Sequence, residues 1–477
     1  MRWNVFNKDR KRILIVFIFL VLMSISMMLY LTYFAVFQAE TVRSHPANRR
    51  SSIAEGQIKR GDIYDRKGEL LATSEGEAGN YHRIYSYPTL YAHIIGYANS
   101  SLGKSGLESS MNDYLLNRNG NRTLKEISDF IRNEKQDGNS LILTLDTQMQ
   151  SKARELLQEN TEKGSIVLMK PKTGEVLAMA SLPDFNAQTI LEDWDKIQQS
   201  DNGALLNRSI NGRYPPGSTF KVITAAGLLQ SNVNLSYEDT GEQVIDGRTF
   251  RNAENAIYGD VDLDEALMYS LNTYFVRKGV DLGAPNLGKQ ADEFAFNQKI
   301  PFELPISQSE FDYKGKLSMT TLAASSIGQG NVLATPLQMA MVASAVANNG
   351  TMMKPYIVSE IEDSDGRTIE STEPETLKES IPSDVAEKLN EYLIDVVNDG
   401  SGKNARLNAF QVAGKTGTAE NATGRNHAWF IGYGPAEDAE YAVAVILEEA
   451  DESGGSVAAP IARDLLLYAY RNGGEDE

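Results

Sequence analysis

The chain contains no cysteine in 477 residues. That excludes a disulfide framework and any thiolate metal site. Histidine is scarce too. His45, His82, His93 and His427 are the four, and none stands at metal-ligand spacing from another. No metal site is expected. Positive charge is in deficit: 46 Lys and Arg face 64 Asp and Glu, for a net charge of -18. Five of the basic residues (Arg2, Lys8, Arg10, Lys11, Arg12) lie in the first twelve positions, opposed only by Asp9. The rest of the chain is therefore more acidic still, which does not suit a nucleic-acid partner. No solenoid-type repeat recurs.

Long apolar runs are also rare, with one exception. Ile13 to Phe37 is 25 residues without a charge. That length crosses a bilayer as a helix with some tilt. It exceeds the apolar stretch of a cleaved signal peptide, and no small-x-small cleavage site follows it. The run reads as an uncleaved single-pass anchor. The basic tail before it predicts residues 1–12 in the cytoplasm and everything after Phe37 outside.

The length suffices for two or three domains. Residues 38–60 are polar, carry Arg43, Arg49 and Arg50, and read as a linker. A first exported region continues to about residue 140. In it, Ile58 to Ala72 has apolar residues flanking an Arg66-Lys67-Gly68 turn, a hairpin signal. Gly120 to Gly138 is polar with no strong period. From residue 141 a second region begins. Strands are predicted at Leu141–Leu145, Ser165–Met169, Glu175–Met179, His427–Tyr433 and Tyr441–Leu447, and helices over Thr147–Glu159, Ala334–Asn348 and Pro460–Tyr470. Strands early and late with helices between them predict one α/β domain whose sheet brings the two ends of the region together. Residues 473–477 form an acidic tail.

Three short motifs carry chemistry when taken together. Tyr214-Pro215-Pro216-Gly217-Ser218-Thr219-Phe220-Lys221 puts a serine and a lysine one turn apart at a predicted helix start. A serine hydroxyl needs a base to become a nucleophile. A poorly solvated lysine can lose its proton near neutral pH and serve as that base. Ser270-Leu271-Asn272 offers a second hydroxyl that can relay a proton. Its carboxamide can hold a peptide carbonyl or orient the lysine. Lys415-Thr416-Gly417-Thr418 sets a cation and two hydroxyls in an open-edged strand. Lys415, Thr416 and Thr418 can bind a carboxylate. The Thr418 N–H can join that of Ser218 in an oxyanion hole. Each motif has a literal twin elsewhere: Ser101–Lys104, Ser110-Met111-Asn112 and Lys172-Thr173-Gly174. Order, spacing and surroundings select the first set.

That ordered trio is a known signature of penicillin-binding proteins and class A β-lactamases. The chain resembles the class B penicillin-binding proteins, the monofunctional peptidoglycan D,D-transpeptidases. It is most similar to their short penicillin-binding protein A subgroup. The resemblance covers nearly all of the exported part. Ile58–Ala72, Gly103-Lys104-Ser105-Gly106-Leu107-Glu108, Ser181–Asn186, Ile327-Gly328-Gln329-Gly330, Thr335–Gln338 and His427–Gly432 are also family-like.

The resemblance implies an α+β fold of the penicillin-binding-protein and β-lactamase type. Its mostly antiparallel sheet is covered by helices (residues 141–472), above a smaller N-terminal pedestal (within 38–140) and the anchor (13–37). It implies a donor stem peptide ending in D-Ala-D-Ala. Ser218 would attack the penultimate carbonyl and Lys221 would take the proton. Ser270 would pass it to the leaving D-Ala amine, aided by Asn272 and the Lys415 charge. Thr416 and Thr418, beside Gly417, would hold the terminal carboxylate. An amine on a neighbouring stem peptide would accept the acyl group, β-lactams would trap Ser218, and no cofactor is needed. A SEDS-type glycan polymerase in the membrane is the implied partner. Two alternatives use the same residues or tolerate their decay: a D,D-carboxypeptidase, and a non-enzymatic scaffold or β-lactam sensor. A β-lactamase is disfavoured, because no second carboxylate base is evident.

Overall fold

The computed structural model describes residues 3–34, 55–118, 137–200, 202–421 and 423–473. The linker with Arg43, Arg49 and Arg50, most of the Gly120–Gly138 stretch, residues 35–37 of the anchor run and the acidic tail beyond 473 lie outside the described residues. Two compact units are formed, Met1–Lys59 with Gly76–Tyr81, and Arg60–Glu75 with His82–Glu477.

In the first unit, helix α1 spans Trp3–Tyr33, and its portion Arg10–Tyr33 is long and apolar enough to cross a membrane. Phe17, Leu22 and Leu29 stay exposed along it. A helix satisfies its own backbone groups, so lipid can replace water around such side chains.

In the second unit the chain runs through β1 (Ile63–Tyr64), β2 (Leu70–Glu75), β3 (His82–Tyr85), β4 (Ser140–Leu143), α2 (Thr147–Asn160), β5 (Gly164–Met169) and β6 (Val176–Leu182). A mainly helical stretch follows: α3 (Lys221–Leu229), short strands β7 (Tyr237–Asp239), β8 (Glu242–Ile245), β9 (Arg248–Arg251) and β10 (Gly259–Val261), then α4 (Leu263–Met268), α5 (Asn272–Leu282) and α6 (Pro336–Ala347). The chain closes with β11 (Val358–Glu362), β12 (Thr368–Ser371), α7 (Ser383–Asn398), β13 (Ala413–Glu420), β14 (Asn426–Gly434), β15 (Tyr441–Leu447) and α8 (Gly454–Asn472).

The pedestal sheet has the order β12-β11-β4-β1-β2-β3. The expected hairpin is present, with Ile63 opposite Ala72. Its turn is set by Asp65, whose Oδ1 accepts from the N–H groups of Lys67 and Glu69 at 2.8 and 2.9 Å. Two family-like segments meet beneath it. Arg60 Nε donates to Glu108 Oε2 at 2.5 Å, and Arg83 Nε donates to Glu108 Oε1 at 2.6 Å. Glu108 is fully buried. Burial pushes its carboxyl up, but the charges of Arg83 and Arg60 outweigh that and hold it below the ordinary value.

The second sheet has the order β13-β14-β15-β5-β6, antiparallel throughout. Pairing of β5 with β15 joins the two ends of the region, as the strand positions predict. Every residue of β5, β6 and β15 is buried. Alternate side chains therefore enter two cores. Val443, Val445, Ile166 and Leu168 pack with α2 and α8 on one face. Ala442, Ala444, Ile446 and Val167 pack with α3 and α6 on the other. This two-sided burial is why these strands read as near-continuous apolar runs. Helix α8 begins at Gly454 rather than at Pro460. Ser453 caps it by accepting the Ser456 N–H, and Pro460 sits inside. Its buried face, including Ile461, Leu465 and Leu466, offsets the hydrogen bond that Pro460 removes.

Candidate active site

Ser218 and Lys221 straddle a change of helix type. Gly217–Phe220 is a 3₁₀ turn, and α3 starts at Lys221. The tighter turn stacks residues three apart, one above the other. Phe220 anchors the turn edge-on against Phe296 and Phe311. The turn is pinned from three sides. Gly217 N–H donates to the Gly328 carbonyl at 2.9 Å. Trp429 Nε1 donates to the Pro215 carbonyl at 3.1 Å, and Thr219 Oγ1 to the Pro216 carbonyl at 2.7 Å. Gly328 has φ +72°, and a Cβ there would lie 2.1 Å from the Gly217 carbonyl oxygen. The family-like Ile327–Gly330 segment thus supports the helix start by close backbone approach.

The second motif lies between α4 and α5. Ser270 has φ +59°, a left-handed conformation that costs a non-glycine residue roughly 1–2 kcal/mol. Such strain is held by its surroundings, and it aims Ser270 at Lys221. Lys221 Nζ lies 2.7 Å from the Ser270 carbonyl oxygen, 3.3 Å from Ser270 Oγ and 2.8 Å from Asn272 Oδ1. All three of its hydrogen bonds go to this motif. The Lys221 side chain is fully buried, with Nζ 5.5 Å from the centre of the Phe275 ring. Burial, and then the charge of Lys415, hold its pKa well below the ordinary lysine value.

The third motif occupies β13, the edge strand of the sheet. An edge strand leaves half its backbone groups free of the ladder. Lys415 is fully buried, and burial lowers its pKa to about 7. Its Nζ donates to the Thr416 carbonyl at 3.2 Å. Thr416 is nearly buried, and its hydroxyl lies 2.9 Å from Ser401 Oγ. Thr418 is exposed at the strand's open end. Gly417 permits contact with the first motif, since a Cβ there would meet the Pro216 carbonyl oxygen at 2.9 Å. In the same seam, a Cβ on Gly217 would lie 2.8 Å from the Thr418 carbonyl oxygen. The backbones of Gly217–Ser218 and Thr418 are therefore neighbours, as a shared oxyanion site requires.

The structure thus brings all three motifs to one place. Their twins lie elsewhere. Lys104 is in a short strand paired with Ala98–Asn99, Ser110–Asn112 joins two pedestal helices, and Lys172–Gly174 is the β5–β6 turn. Among the described residues, no three His, Asp or Glu side chains are grouped to hold a metal ion. Ser401 supports the site without having been singled out from the sequence, and Trp429 supports it from within the family-like His427–Gly432 segment. The Gly400-Ser401-Gly402 run was the available signal for the first.

Residues 164–467 match the penicillin binding protein transpeptidase domain, and residues 60–141 match the penicillin binding protein A dimerisation domain. The peptidoglycan D,D-transpeptidase PbpA of Mycolicibacterium smegmatis is 34% identical over 92% of this chain and 94% of its own. Peptidoglycan D,D-transpeptidase MrdA of Acinetobacter baumannii is 30% identical over 81% of this chain and 66% of its own. Penicillin-binding protein A from M. tuberculosis, solved as a ceftriaxone acyl-enzyme complex, superposes with a TM-score of 0.82 at 29% identity, covering 87% of this chain and 99% of that one. The chain belongs to the penicillin-binding protein transpeptidase family, in the company of its penicillin-binding protein A subgroup.

Proposed function

We propose that Ser218 is the nucleophile through which this peptidoglycan D,D-transpeptidase cross-links stem peptides. One observation carries the assignment. Lys221 is fully buried one turn from Ser218, and every hydrogen bond of its Nζ goes to Ser270 and Asn272. Burial, and then the charge of Lys415, hold the pKa of a lysine so placed well below the ordinary value, which suits it to accept the Ser218 proton. Ser218 Oγ attacks the penultimate D-Ala carbonyl, and the Ser218 and Thr418 N–H groups hold the oxyanion. The proton travels through Ser270 to the departing D-Ala amine as the C–N bond breaks. Lys415, Thr416 and Thr418 take the donor's carboxylate, with Gly417 keeping the strand close. The amine of a second stem peptide then attacks the acyl-enzyme and releases Ser218. β-Lactams, which mimic the donor, acylate Ser218 and stall there.

We assign residues 1–12 to a cytoplasmic tail, 13–37 to the anchor, 38–140 to the linker and pedestal, 141–472 to the transpeptidase domain, of which β11, β12 and most of β4 extend the pedestal sheet, and 473–477 to the tail. The acidic catalytic part faces outward, because Lys8, Arg10, Lys11 and Arg12 cluster at the N-terminal end of α1, just before its uncharged run from Ile13. The chain has no cysteine, so single cysteines placed before and after α1 report the orientation cleanly with an impermeant maleimide. A SEDS-type glycan polymerase is the membrane partner we assign to the anchor and pedestal. Crosslinking from α1 in membranes, with no polymerase recovered, contradicts that assignment.

The test of the nucleophile uses the full-length protein in detergent and a fluorescent penicillin. Wild type takes the label and Ser218→Ala does not. Equal labelling of the two would overturn the assignment. Product analysis with a D-Ala-D-Ala donor and an added amine then separates transfer from hydrolysis.

A further inference from the structure

Behind Ser270 and Asn272 lies a polar cluster that the chemistry above does not use. Asp239, at the end of β7, is 1% exposed. Its Oδ1 accepts from Thr273 Oγ1 at 2.7 Å, Asn252 Nδ2 at 3.0 Å and the Gly241 N–H at 3.1 Å. Its Oδ2 accepts from Asn252 Nδ2 at 3.0 Å and the Tyr258 N–H at 3.0 Å. These donors come from the β7–β8 turn, the end of β9, the approach to β10 and the start of α5.

Both ends of the second motif are tied to this carboxylate. Thr273 follows Asn272, and its N–H donates to Asn252 Oδ1 at 3.2 Å. Arg251, the residue before Asn252, accepts from Asn272 Nδ2 at 3.0 Å. That bond orients the carboxamide so that Oδ1 faces Lys221. On the other side, the Tyr258 ring stacks on Tyr269, the residue before Ser270, with centroids 4.6 Å apart. A carboxylate taken out of water among neutral donors adds little net stability. A fully satisfied buried network does fix geometry.

We propose that Asp239 is a positioning residue for the transpeptidase reaction, holding Asn272 directly through Thr273 and Asn252, and Ser270 through the Tyr258–Tyr269 stack. The inference rests on the roles given above to Ser218 and Lys221. Asp239→Asn puts an NH₂ among groups that are all donors. Thr273→Val removes one donor at nearly constant shape, and Thr273→Ser keeps it. Stopped-flow labelling of the full-length protein with fluorescent penicillin separates the Kd of the first complex from the acylation rate constant.

In folded Thr273→Val, acylation slows by about tenfold or more while Kd is unchanged, and Thr273→Ser recovers most of the rate. Asp239→Asn behaves as Thr273→Val wherever its melting curve shows it folded. A smaller fall in Thr273→Val, a fall confined to Kd, or no recovery in Thr273→Ser overturns the positioning role. Ser218→Ala separates the two levels. If it stays unlabelled while Thr273→Val acylates normally, the nucleophile stands and only the Asp239 inference fails.

Discussion

The pedestal buries Arg60 and Arg83 around the carboxylate of Glu108, whereas the active site buries Lys221 and Lys415 near each other among carbonyl and hydroxyl oxygens. Both clusters are nearly or fully out of solvent. In the first, opposite charges offset the desolvation cost and stay ionised. In the second, burial with no counter-charge lowers the pKa of both lysines, and the charge of Lys415 lowers that of Lys221 further. Paired burial makes a joint, and unpaired burial makes a reagent. The same physical cost is neutralised in one place and kept for chemistry in the other.

The largest expected effect falls on the reagent. Lys221→Met keeps the volume but removes the base, and acylation slows by about 10²–10⁴-fold. Melting of the variant in detergent changes little, because the cost of burying the amine is removed together with its three hydrogen bonds. A matching loss of stability would break the contrast. The joint responds in the opposite way. Glu108→Gln leaves Arg60 and Arg83 with an uncompensated buried charge, at a cost of about 3–5 kcal/mol. The melting temperature drops, while the acylation rate of the folded fraction is retained. The wild-type pedestal also has an acid limit. Glu108 is held below its ordinary pKa, so its contribution is full above the unfolded carboxyl pKa and is lost as pH falls through the folded value.

Smaller effects sharpen the geometry. Gly417→Ala forces a Cβ against the Pro216 carbonyl oxygen, moves the Ser218 turn off β13 and slows acylation by about 10²-fold. Lys415 loses its charge as pH rises through about 7, so the Kd for an anionic penicillin weakens above that pH. A bound carboxylate draws that transition upward. Thr418→Val removes one exposed hydroxyl from the carboxylate site and raises the Kd by about tenfold.

The motifs and the buried strands were legible in the sequence for separate reasons. Ser218, Lys221, Ser270, Asn272 and Lys415 belong to compact patterns whose order selects them from their twins. Strands β5, β6 and β15 are almost wholly apolar, Ser165 and Ser181 apart, because both faces are covered. The pedestal sheet was less visible. It takes β11 and β12 from residues 358–371, and all four residues of β12 are exposed, so no apolar period marks them. Arg83 gave no signal as the second partner of Glu108, because a lone arginine usually means solvent. The Asp239 cluster was hidden similarly: its members are ordinary turn residues until the fold closes them around one carboxylate.

The claim that burial turns Lys221 into a base is tested most directly by the pH dependence of acylation. The rate constant for fluorescent penicillin is measured from pH 5 to 11 on the full-length protein. A base with a strongly lowered pKa gives an acid limb that is complete well before the ordinary lysine range near 10.4. A rate that climbs about tenfold per pH unit through pH 9 to 10 would show an ordinary lysine and contradict the account.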